Sequence, residues 1–347
     1  MTGVASLATS SIFYHCQIES SQVHFLANLI VVNNPLISIV ICCYNRAHLL
    51  PQTMESVFAQ EYEPVEIVVL DDGSTDETPA LMADYGERIR YYWQENQGIA
   101  QTRTNGCELA KGEYIAFQDD DDLMPPDRIT VLYEALKQHP SAVLAVGDWA
   151  AIDEDGNPNG HRWLPERSTE LQDPILFHDG YKAILWPEVP AAPHTTLFRK
   201  SDGEKIGWFD NQYRYASEDK DFFAHLGRLG PIVYVPKVVS YYRQGHPSLT
   251  NKGILRPYNK LLLLKNHLSS IEPQFRELRG RLQHRMRIEL TRIASYESKG
   301  AKMPEAAPAD YLKEALRLLG FRERLKYRWT TRIKFPLKKV LGKGNFG

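Results

Sequence analysis

Along residues 35–125, short apolar runs rich in β-branched side chains alternate with segments whose apolar residues recur at helical spacing. The runs predict buried strands, and the segments between them predict helices. The predicted strands are Ile37–Cys42, Val65–Leu70, Arg90–Trp93 and Tyr114–Phe117, and the predicted helices are Leu50–Phe58, Thr78–Tyr85 and Gly98–Leu109. This alternation indicates βαβ units, and therefore an α/β fold with a mostly parallel sheet.

The pattern becomes less regular in the second half of the chain. Residues 150–190 are rich in Gly, Pro, Asp and Glu and predict a long surface excursion, either a lid or an acceptor loop. His194–Phe198 predicts a strand, Asp219–Leu229 a helix, and Ile232–Tyr242 alternates like a pair of strands. From residue 253 onward the pattern is helical and basic.

Polar clusters follow three of the predicted strands at the point where each strand ends. These clusters are Tyr44-Asn45-Arg46, Asp71-Asp72-Gly73-Ser74 and Asp119-Asp120-Asp121-Asp122, and a predicted helix begins near them at Asn96-Gln97-Gly98. In open parallel sheets, ligands bind beyond the carboxyl ends of the strands. The convergence of separate segments on one rim therefore predicts a binding site there.

The run Asp119–Asp122 is the strongest chemical signal at this rim. Carboxylates packed this closely raise one another's pKa unless a cation intervenes. Mg²⁺ and Mn²⁺ prefer oxygen ligands, and a metal between aspartates and a diphosphate would neutralise the charge that builds on a nucleotide leaving group. A solvated acidic turn is the alternative for an isolated run. The position of this run at a strand end, beside other polar strand ends, favours the metal.

The ordered set of motifs resembles glycosyltransferase family 2, which has the GT-A fold. The motifs lie between Pro35 and Arg243, and they are Tyr44-Asn45-Arg46, Val68-Val69-Leu70-Asp71-Asp72-Gly73-Ser74-Thr75-Asp76, Asn96-Gln97-Gly98 with Arg103-Thr104-Asn105-Gly106, and Gly112-Glu113-Tyr114-Ile115-Ala116-Phe117-Gln118-Asp119-Asp120-Asp121-Asp122. Each motif alone is weak, whereas their order is specific to the family.

The resemblance implies a role for each matching residue. Asp71 would hold the base of the nucleotide, expected to be uracil, and Asp72 would lie beside the nucleotide. The other residues implied at the nucleotide are Tyr44, Arg46, Arg103 (near the base and Asp71), Asp119 and Asp120. Asp119 and Asp121 match the family's D-x-D signature, and Asp121 would be the main ligand of a divalent cation, Mg²⁺ or Mn²⁺. Asp120 stands where many relatives have a small residue. Its extra charge leaves open which pair of aspartates binds the cation.

The second half of the chain resembles the family's acceptor region. Gly207-Trp208-Phe209-Asp210 and Ser217-Glu218-Asp219 match its Gly-aromatic-Asp and Glu-Asp signatures. An inverting transfer needs a base for the acceptor hydroxyl. The resemblance implies that Asp219 is this base and that Glu218 is the nearby alternative. Helix N-terminal capping is the competing interpretation of both carboxylates.

The segment Tyr242-Arg243-Gln244-Gly245-His246 matches a Tyr-Arg-x-x-His motif that is found at this end of the domain in many relatives. Arg243 or His246 would then face the diphosphate or the metal, although a lone histidine is more often structural. The implied organisation is a poorly ordered extension over residues 1–34, a GT-A domain over 35–250 and a helical basic region over 251–347. The GT-A domain would consist of a nucleotide half over 35–125 and an acceptor half over 126–250.

Charge is distributed very unevenly along the chain. Residues 35–250 carry 34 acidic and 18 basic side chains, whereas residues 251–347 carry 8 acidic and 23 basic ones. In residues 321–347 the basic side chains are interleaved with aromatic and aliphatic ones, a pattern that suits an anionic membrane surface. A flexible tail or a helix docked on the acidic body explains the pattern equally well. The acidic body argues against a nucleic-acid partner.

Several other classes of protein are disfavoured. A dinucleotide-dependent oxidoreductase needs a Gly-x-Gly-x-x-Gly turn, and a nucleotidyltransferase needs a Gly-rich basic loop, but the first predicted strand is followed by Tyr44-Asn45-Arg46. A non-enzymatic protein of this fold, binding polyanions or membranes through its basic tail, stays open as the alternative.

The sequence also gives expectations about location. Residues 1–34 contain no Lys or Arg, and the apolar run Phe25–Val32 is too short to span a bilayer. The spacing of the four cysteines fits neither a zinc site nor a disulfide framework. We therefore expect a cytoplasmic enzyme, peripheral on the inner face of the membrane if the tail binds lipid.

The expected function is transfer of a sugar from a nucleoside diphosphate-sugar, with UDP the expected nucleotide, to a hydroxyl of a glycan or lipid-linked acceptor. The family resemblance places such a reaction in the assembly of cell-surface polysaccharide or glycolipid.

Overall fold

The computed structural model describes residues 34–163, 173–213, 216–245, 255–299 and 311–331. Its strands are β1 (Ile37–Cys43), β2 (Val65–Asp71), β3 (Arg90–Trp93), β4 (Tyr114–Asp119), β5 (Leu144–Ile152), β6 (Pro158–Arg162), β7 (Ile175–Phe177), β8 (Thr196–Arg199) and β9 (Ile232–Arg243). Its helices are α1 (Leu50–Phe58), α2 (Thr78–Asp84), α3 (Ile99–Leu109), α4 (Arg128–Gln138), α5 (Gly180–Leu185), α6 (Lys200–Ile206), α7 (Glu218–Leu229), α8 (Leu255–Ser269), α9 (Leu278–Glu297), α10 (Tyr311–Leu318) and α11 (Phe321–Trp329).

One mixed sheet organises the described part of the chain. Its strand order is β3-β2-β1-β4-β8-β5-β9-β7, with β6 paired to β5. The pairs among β1, β2, β3 and β4 are parallel, as the alternating pattern predicts, whereas β8 runs antiparallel to both β4 and β5. Residues 35–125 therefore contribute parallel strands, and β8 joins these strands to the rest of the sheet.

The register of the parallel strands aligns the polar clusters at one edge. Cys43 on β1 pairs with Asp71 on β2, and Cys42 pairs with Asp119 on β4. Because the three strands end at the same level, the residues that follow them emerge side by side. This alignment confirms the convergence that the sequence pattern predicts.

Both faces of the central strands are buried, which explains why their sequences are continuously apolar. Val40 and Val68 belong to the apolar cluster on one face of the sheet, and Ile39 and Val69 belong to the cluster on the other. All four side chains are fully buried. Burial of each such side chain contributes about 1.5–3 kcal/mol, so the central strands form a stable support for the rim.

Two elements differ from the sequence prediction. Ile232–Arg243 is one long strand rather than a pair of strands. Its pairing with β5 shifts in register near Asp148, and the strand continues through these shifts. The segment 150–190 is not only a surface excursion, since β6, β7 and the buried helix α5 lie within its described part. Tyr181 on α5 is fully buried, and its polar neighbours hide its core position from sequence patterns.

Helix α5 is buried because its backbone approaches that of α7 very closely. A Cβ atom on Gly227 would lie 2.5 Å from the carbonyl carbon of Gly180. Two glycines therefore permit the contact, and they hold the helix that begins with Glu218 against the core.

The contacts of the chain separate residues 1–34 from residues 35–347. The predicted N-terminal extension lies outside the described residues apart from Asn34. The boundary at residue 250 between the GT-A domain and the basic helical region stays a prediction. Leu261 of α8 and Leu290 of α9 join the same apolar cluster as Val40 of the sheet. Among the described helices, none combines the length and the apolar character required to cross a bilayer.

Candidate active site

The turn after β1 is locked to the turn after β2. Asn45 adopts a left-handed conformation, with φ of 53°, that asparagine tolerates better than most residues. Its backbone N–H donates to Ser74 Oγ at 2.8 Å, and its side-chain oxygen accepts from the N–H of Thr75 at 2.8 Å. These bonds place Tyr44, which is 48% exposed, and Arg46 at the rim.

Asp71 is fully buried beneath this rim. One of its oxygens accepts from the N–H of Ser74 at 2.7 Å, and the other accepts from the hydroxyl of Tyr91 at 2.7 Å. In this structure the carboxylate therefore holds the turn together. Its contact with the base of a nucleotide stays a prediction.

Asp72 connects the same turn to the start of α3. Its carboxylate accepts from the backbone N–H groups of Gln97 at 2.8 Å and Gly98 at 2.9 Å, and from the amide of Gln94 at 2.9 Å. Gly98 has φ of 86°, a conformation that glycine adopts without strain. Asp72 thus positions the first turn of the helix that carries Arg103.

The acidic run divides into three rim residues and one buried residue. Asp119, Asp120 and Asp121 are partly exposed, with 29%, 14% and 17% of their side chains accessible. Arg46 lies 3.6 Å from Asp120 Oδ1 and 3.7 Å from Asp121 Oδ2. Burial, together with the negative charges of Asp121 and Asp119, raises the pKa of Asp120 well above its usual range. The three rim carboxylates therefore lie close enough to influence one another's ionisation.

Asp122 points into the protein and holds the turn to β9. It is fully buried, and its Oδ1 accepts from the backbone N–H of Arg243 at 2.8 Å. Arg243 is buried as well, and its Nε donates to the carbonyl of Asp121 at 2.8 Å. The guanidinium of Arg243 thus supports the acidic turn from below. The companion residue His246 lies outside the described residues.

Arg103 on α3 bridges the two halves of the site. Its Nη2 donates to Asp119 Oδ1 at 3.1 Å, and its Nη1 donates to Glu218 Oε1 at 2.6 Å. The predicted position near Asp71 is not reflected in these contacts, since both partners of the guanidinium lie elsewhere. One buried cation thus joins the acidic rim to the start of α7.

Glu218 and Asp219 begin α7 but differ in environment. Glu218 is buried, and burial together with the charge of Asp219 raises its pKa to about 7 although Arg103 opposes the rise. Asp219 is half-buried, and its Oδ1 accepts from the backbone N–H of Lys220 at 2.7 Å. The capping interpretation therefore fits Asp219 in part, whereas the side chain of Glu218 turns to Arg103.

Comparison with known proteins places this geometry in a family. The sequence profile described as glycosyl transferase family 2 matches residues 38–207, which include all three strand-end clusters. Residues 38–207 are therefore a glycosyltransferase family 2 domain. The glucosyl-dolichyl phosphate glucuronosyltransferase of Haloferax volcanii is 36% identical over 137 residues. That match covers 37% of this chain and 44% of the relative, so it spans less than half of the relative's length.

Solved structures with the same fold confirm the predicted GT-A-like architecture. S. aureus TarS, residues 1–349, aligns in its complex with UDP at 16% identity and a TM-score of 0.61, over 90% of this chain and 93% of that one. The same fragment in complex with UDP-GlcNAc aligns with a TM-score of 0.60 at 16% identity, over 88% and 87% of the two chains. At this identity the similarity establishes the fold of the family 2 chain and its α/β class.

Two residues of this family 2 site were missed by the sequence analysis. His194 lies just before β8, with its Nδ1 2.7 Å from Ser240 Oγ and 3.4 Å from Asp122 Oδ2. Burial lowers the pKa of His194 to about 4, so the ring is neutral at pH 7. Arg128 is fully buried and donates to the carbonyl of Phe117 at 2.7 Å. Neither residue stands in a motif. His194 reaches the acidic turn from a segment 72 positions after Asp122, whereas Arg128 holds the end of β4 from the start of the next helix.

The acidic rim has donor atoms of the kind that the divalent cation implied by the family resemblance would need. Asp119, Asp120 and Asp121 present carboxylate oxygens at the rim, and burial together with the negative charge of Asp121 raises the pKa of Asp120. Hard cations such as Mg²⁺ and Mn²⁺ prefer oxygen donors of this kind. The oxygen donors at the rim therefore fit such a cation, and Asp121 is the residue that the family resemblance implies would hold it.

Proposed function

We propose that this family 2 chain is an inverting glycosyltransferase that moves a sugar from a UDP-sugar to a hydroxyl of a glycan or lipid-linked acceptor. One observation carries the proposal. The buried guanidinium of Arg103 joins Asp119, at the nucleotide rim, to Glu218, beside the candidate base Asp219. Residues suited to a leaving diphosphate and residues suited to an attacking hydroxyl thus lie on either side of one cation.

The choice of a UDP-sugar rests on the rim and on one structural neighbour. Asp119, Asp120 and Asp121 present carboxylates beyond the ends of parallel strands, where this class of sheet binds ligands. S. aureus TarS, which shares the fold, has been solved with UDP and with UDP-GlcNAc. A bound divalent cation would supply electrostatic stabilisation to the departing diphosphate.

The residues of the chain account for the remaining steps. Asp219 accepts the proton of the acceptor hydroxyl, and the acceptor oxygen forms a bond to the anomeric carbon as the bond to UDP breaks on the opposite face. A single displacement of this kind inverts the anomeric configuration. Asp219 is suited to the role because it is half-exposed, and among the described residues only the N–H of Lys220 donates to its carboxylate. Glu218, held by Arg103, positions the start of α7.

The acceptor class is supported by one relative and by the charge of the chain. The similar Haloferax volcanii protein is named for a glucosyl-dolichyl phosphate acceptor, which is a lipid-linked sugar. Residues 321–347 carry nine basic side chains and one acidic side chain, which would favour an anionic membrane surface. We therefore place the enzyme at the inner face of the membrane, although residues 332–347 lie outside the described residues.

Calorimetric titration with UDP, GDP, dTDP and NAD, each with and without Mn²⁺, tests the donor site. We expect UDP to bind in a Mn²⁺-dependent manner, and we expect Asp121→Asn to lose that dependence. Glu113→Gln serves as the matched control, because Glu113 precedes the same strand, β4, at its opposite end. Failure of all four nucleotides to show metal-dependent binding would favour a protein that keeps the fold without activity.

A second experiment tests the assigned base. With UDP-sugar and acceptor present, Asp219→Asn should lower kcat by at least about 10²-fold, the typical contribution of general base catalysis, while UDP affinity stays unchanged. If Glu218→Gln alone produced this loss and Asp219→Asn retained transfer, the roles of the two carboxylates would be exchanged.

A further inference from the structure

Helices α7 and α8 bring two histidines and one aspartate together outside the candidate active site. Asp221 and His225 lie one helical turn apart on α7, and His267 comes from α8. One carboxylate oxygen of Asp221 and one ring nitrogen of each histidine all lie within 4.8 Å of one another. This set, the α7–α8 cluster, shares no residue with the acidic run at the nucleotide rim.

The separations within the cluster suit a tetrahedral metal ion. His267 Nε2 lies 3.1 Å from Asp221 Oδ1, and His225 Nε2 lies 3.8 Å from Asp221 Oδ2. Nitrogen and oxygen ligands about 2.0–2.1 Å from a tetrahedral Zn²⁺ are separated from each other by about 3.3 Å. The distance from His267 is close to this value, whereas the distance from His225, which runs to the other carboxylate oxygen, would have to shorten on binding.

An unsatisfied ring nitrogen points to a ligand in the cluster. His267 is only 1% exposed, and its Nε2 has no hydrogen-bond partner within the described part of the chain. Asp221 Oδ1 lies 3.1 Å from this nitrogen but forms no hydrogen bond with it. Leaving a buried polar atom unpaired is unfavourable, and a metal bond to Nε2 would satisfy that atom.

Polar neighbours hold the ligands in place, as they do in established metal sites. The hydroxyl of Tyr181 lies 2.9 Å from Nδ1 of His267, the ring nitrogen that faces away from the cluster. The hydroxyl of Tyr213 donates to Asp221 Oδ1 at 2.9 Å and itself accepts from Asn266 at 3.0 Å. The cluster therefore has oriented ligands and a surrounding layer of hydrogen bonds.

We propose that Asp221, His225 and His267 form a Zn²⁺ site. Two imidazoles and one carboxylate favour zinc over Mg²⁺ or Mn²⁺, which prefer all-oxygen sites, so the two metal sites of this chain would differ in selectivity. The His225 side chain is 41% exposed, which gives the ion a route from solvent and leaves a fourth position for water. Bound zinc would fasten α8, the first described helix after residue 250, to α7, the helix that begins with Glu218.

The full-length chain, freed of metals with a chelator, can be titrated with Zn²⁺ by calorimetry and with Co²⁺ by visible absorption. We expect one equivalent of Zn²⁺ to bind, the intense absorption of tetrahedral Co²⁺ to appear, and the Tm to rise with Zn²⁺. His225→Ala should weaken binding at least 10-fold and remove the rise in Tm. His284→Ala is the matched control, because His284 is an exposed histidine on helix α9.

Asp121→Asn separates this site from the nucleotide rim, since zinc binding should persist in that variant. The proposal would be overturned if His225→Ala and His284→Ala bound zinc equally well, or if binding were lost only with Asp121→Asn. Should His225→Ala fail to fold, the Co²⁺ spectrum of the unmodified chain decides, because a weak octahedral spectrum excludes the predicted ligand set.

Discussion

Arg103 on α3 donates to Glu218 at 2.6 Å across 115 positions of the sequence, and its other terminal nitrogen holds Asp119 at 3.1 Å. The guanidinium is well suited to this position, because its planar fork can serve two carboxylates at once. One buried cation of α3 thus links the acidic turn after β4 to the start of α7.

Loss of this cation should destabilise the protein strongly. In Arg103→Met, Glu218 is left buried without a counterion, and we expect the free energy of unfolding to fall by about 3–5 kcal/mol. Adding Glu218→Gln should recover part of the loss, giving a coupling energy of about 1–3 kcal/mol in a double-mutant cycle followed by urea denaturation.

The pair Arg90 and Glu66 provides the control for this cycle. It joins the same residue types at 2.7 Å but is more exposed, with 28% and 13% of the two side chains accessible. We expect a coupling energy of at most about 1 kcal/mol for Arg90→Met with Glu66→Gln. Equal coupling in the two cycles would contradict a special role for Arg103.

Neighbouring aspartates of the acidic run should respond differently to substitution. Burial and the charge of Asp121 raise the pKa of Asp122 well above its usual range, so the charged form is disfavoured there, and Asn removes the charge while retaining an oxygen that can accept from Arg243. Asp122→Asn should therefore change the free energy of unfolding by less than about 1 kcal/mol, whereas Asp122→Ala should lower it by about 1–3 kcal/mol.

Asp121→Asn should show the opposite behaviour in the same assays. We expect its stability to stay close to that of the unmodified chain and its Mn²⁺-dependent binding of UDP to disappear. If Asp122→Asn rather than Asp121→Asn abolished cation-dependent binding, the division of the run into rim and support would be wrong.

The close approach of α5 and α7 predicts a large effect at one glycine. In Gly227→Ala, the added methyl group would meet the backbone of Gly180 at 2.5 Å, and backbone atoms cannot rotate away. We expect a loss of at least about 1–3 kcal/mol in the free energy of unfolding. Gly280→Ala, also in a helix but with no atom within 4 Å of the new methyl group, should be neutral or stabilise by up to about 1 kcal/mol.

The buried imidazole of His194 should make stability depend on pH. Burial lowers its pKa to about 4 from the usual 6.5, so between these values the unfolded chain binds a proton that the folded chain does not. The neutral His194 ring therefore makes its full contribution to the free energy of unfolding above pH 6.5. This contribution is lost as the pH falls towards 4, by up to about 3 kcal/mol.

Urea denaturation at several pH values between 7 and 4.5 measures this dependence. Replacement of the titrating ring in His194→Gln should flatten the decline in stability, whereas His161→Gln, which alters an exposed histidine, should leave it unchanged. An equally steep decline in His194→Gln would assign the acid sensitivity to other groups.

The sequence by itself determined the strands and helices of residues 35–125 and the sheet edge at which the polar clusters meet. Local patterns were sufficient there, because buried parallel strands such as Val65–Asp71 are apolar throughout and end in polar turns. The order of the motifs was also sufficient for the family. The sequence pattern did not predict the burial of α5, because that burial depends on the close contact between Gly180 and Gly227, which are far apart in the chain.

Only the tertiary structure decided which charged residues act together. Asp121 and Asp122 are identical in type and adjacent in sequence, yet one lies at the rim and the other is fully buried against β9. Arg103 finds its partners, and His267 meets Asp221, through contacts between segments far apart in the chain. Such pairings leave no periodic signal, because their energy comes from burial and orientation that exist only once the segments have packed.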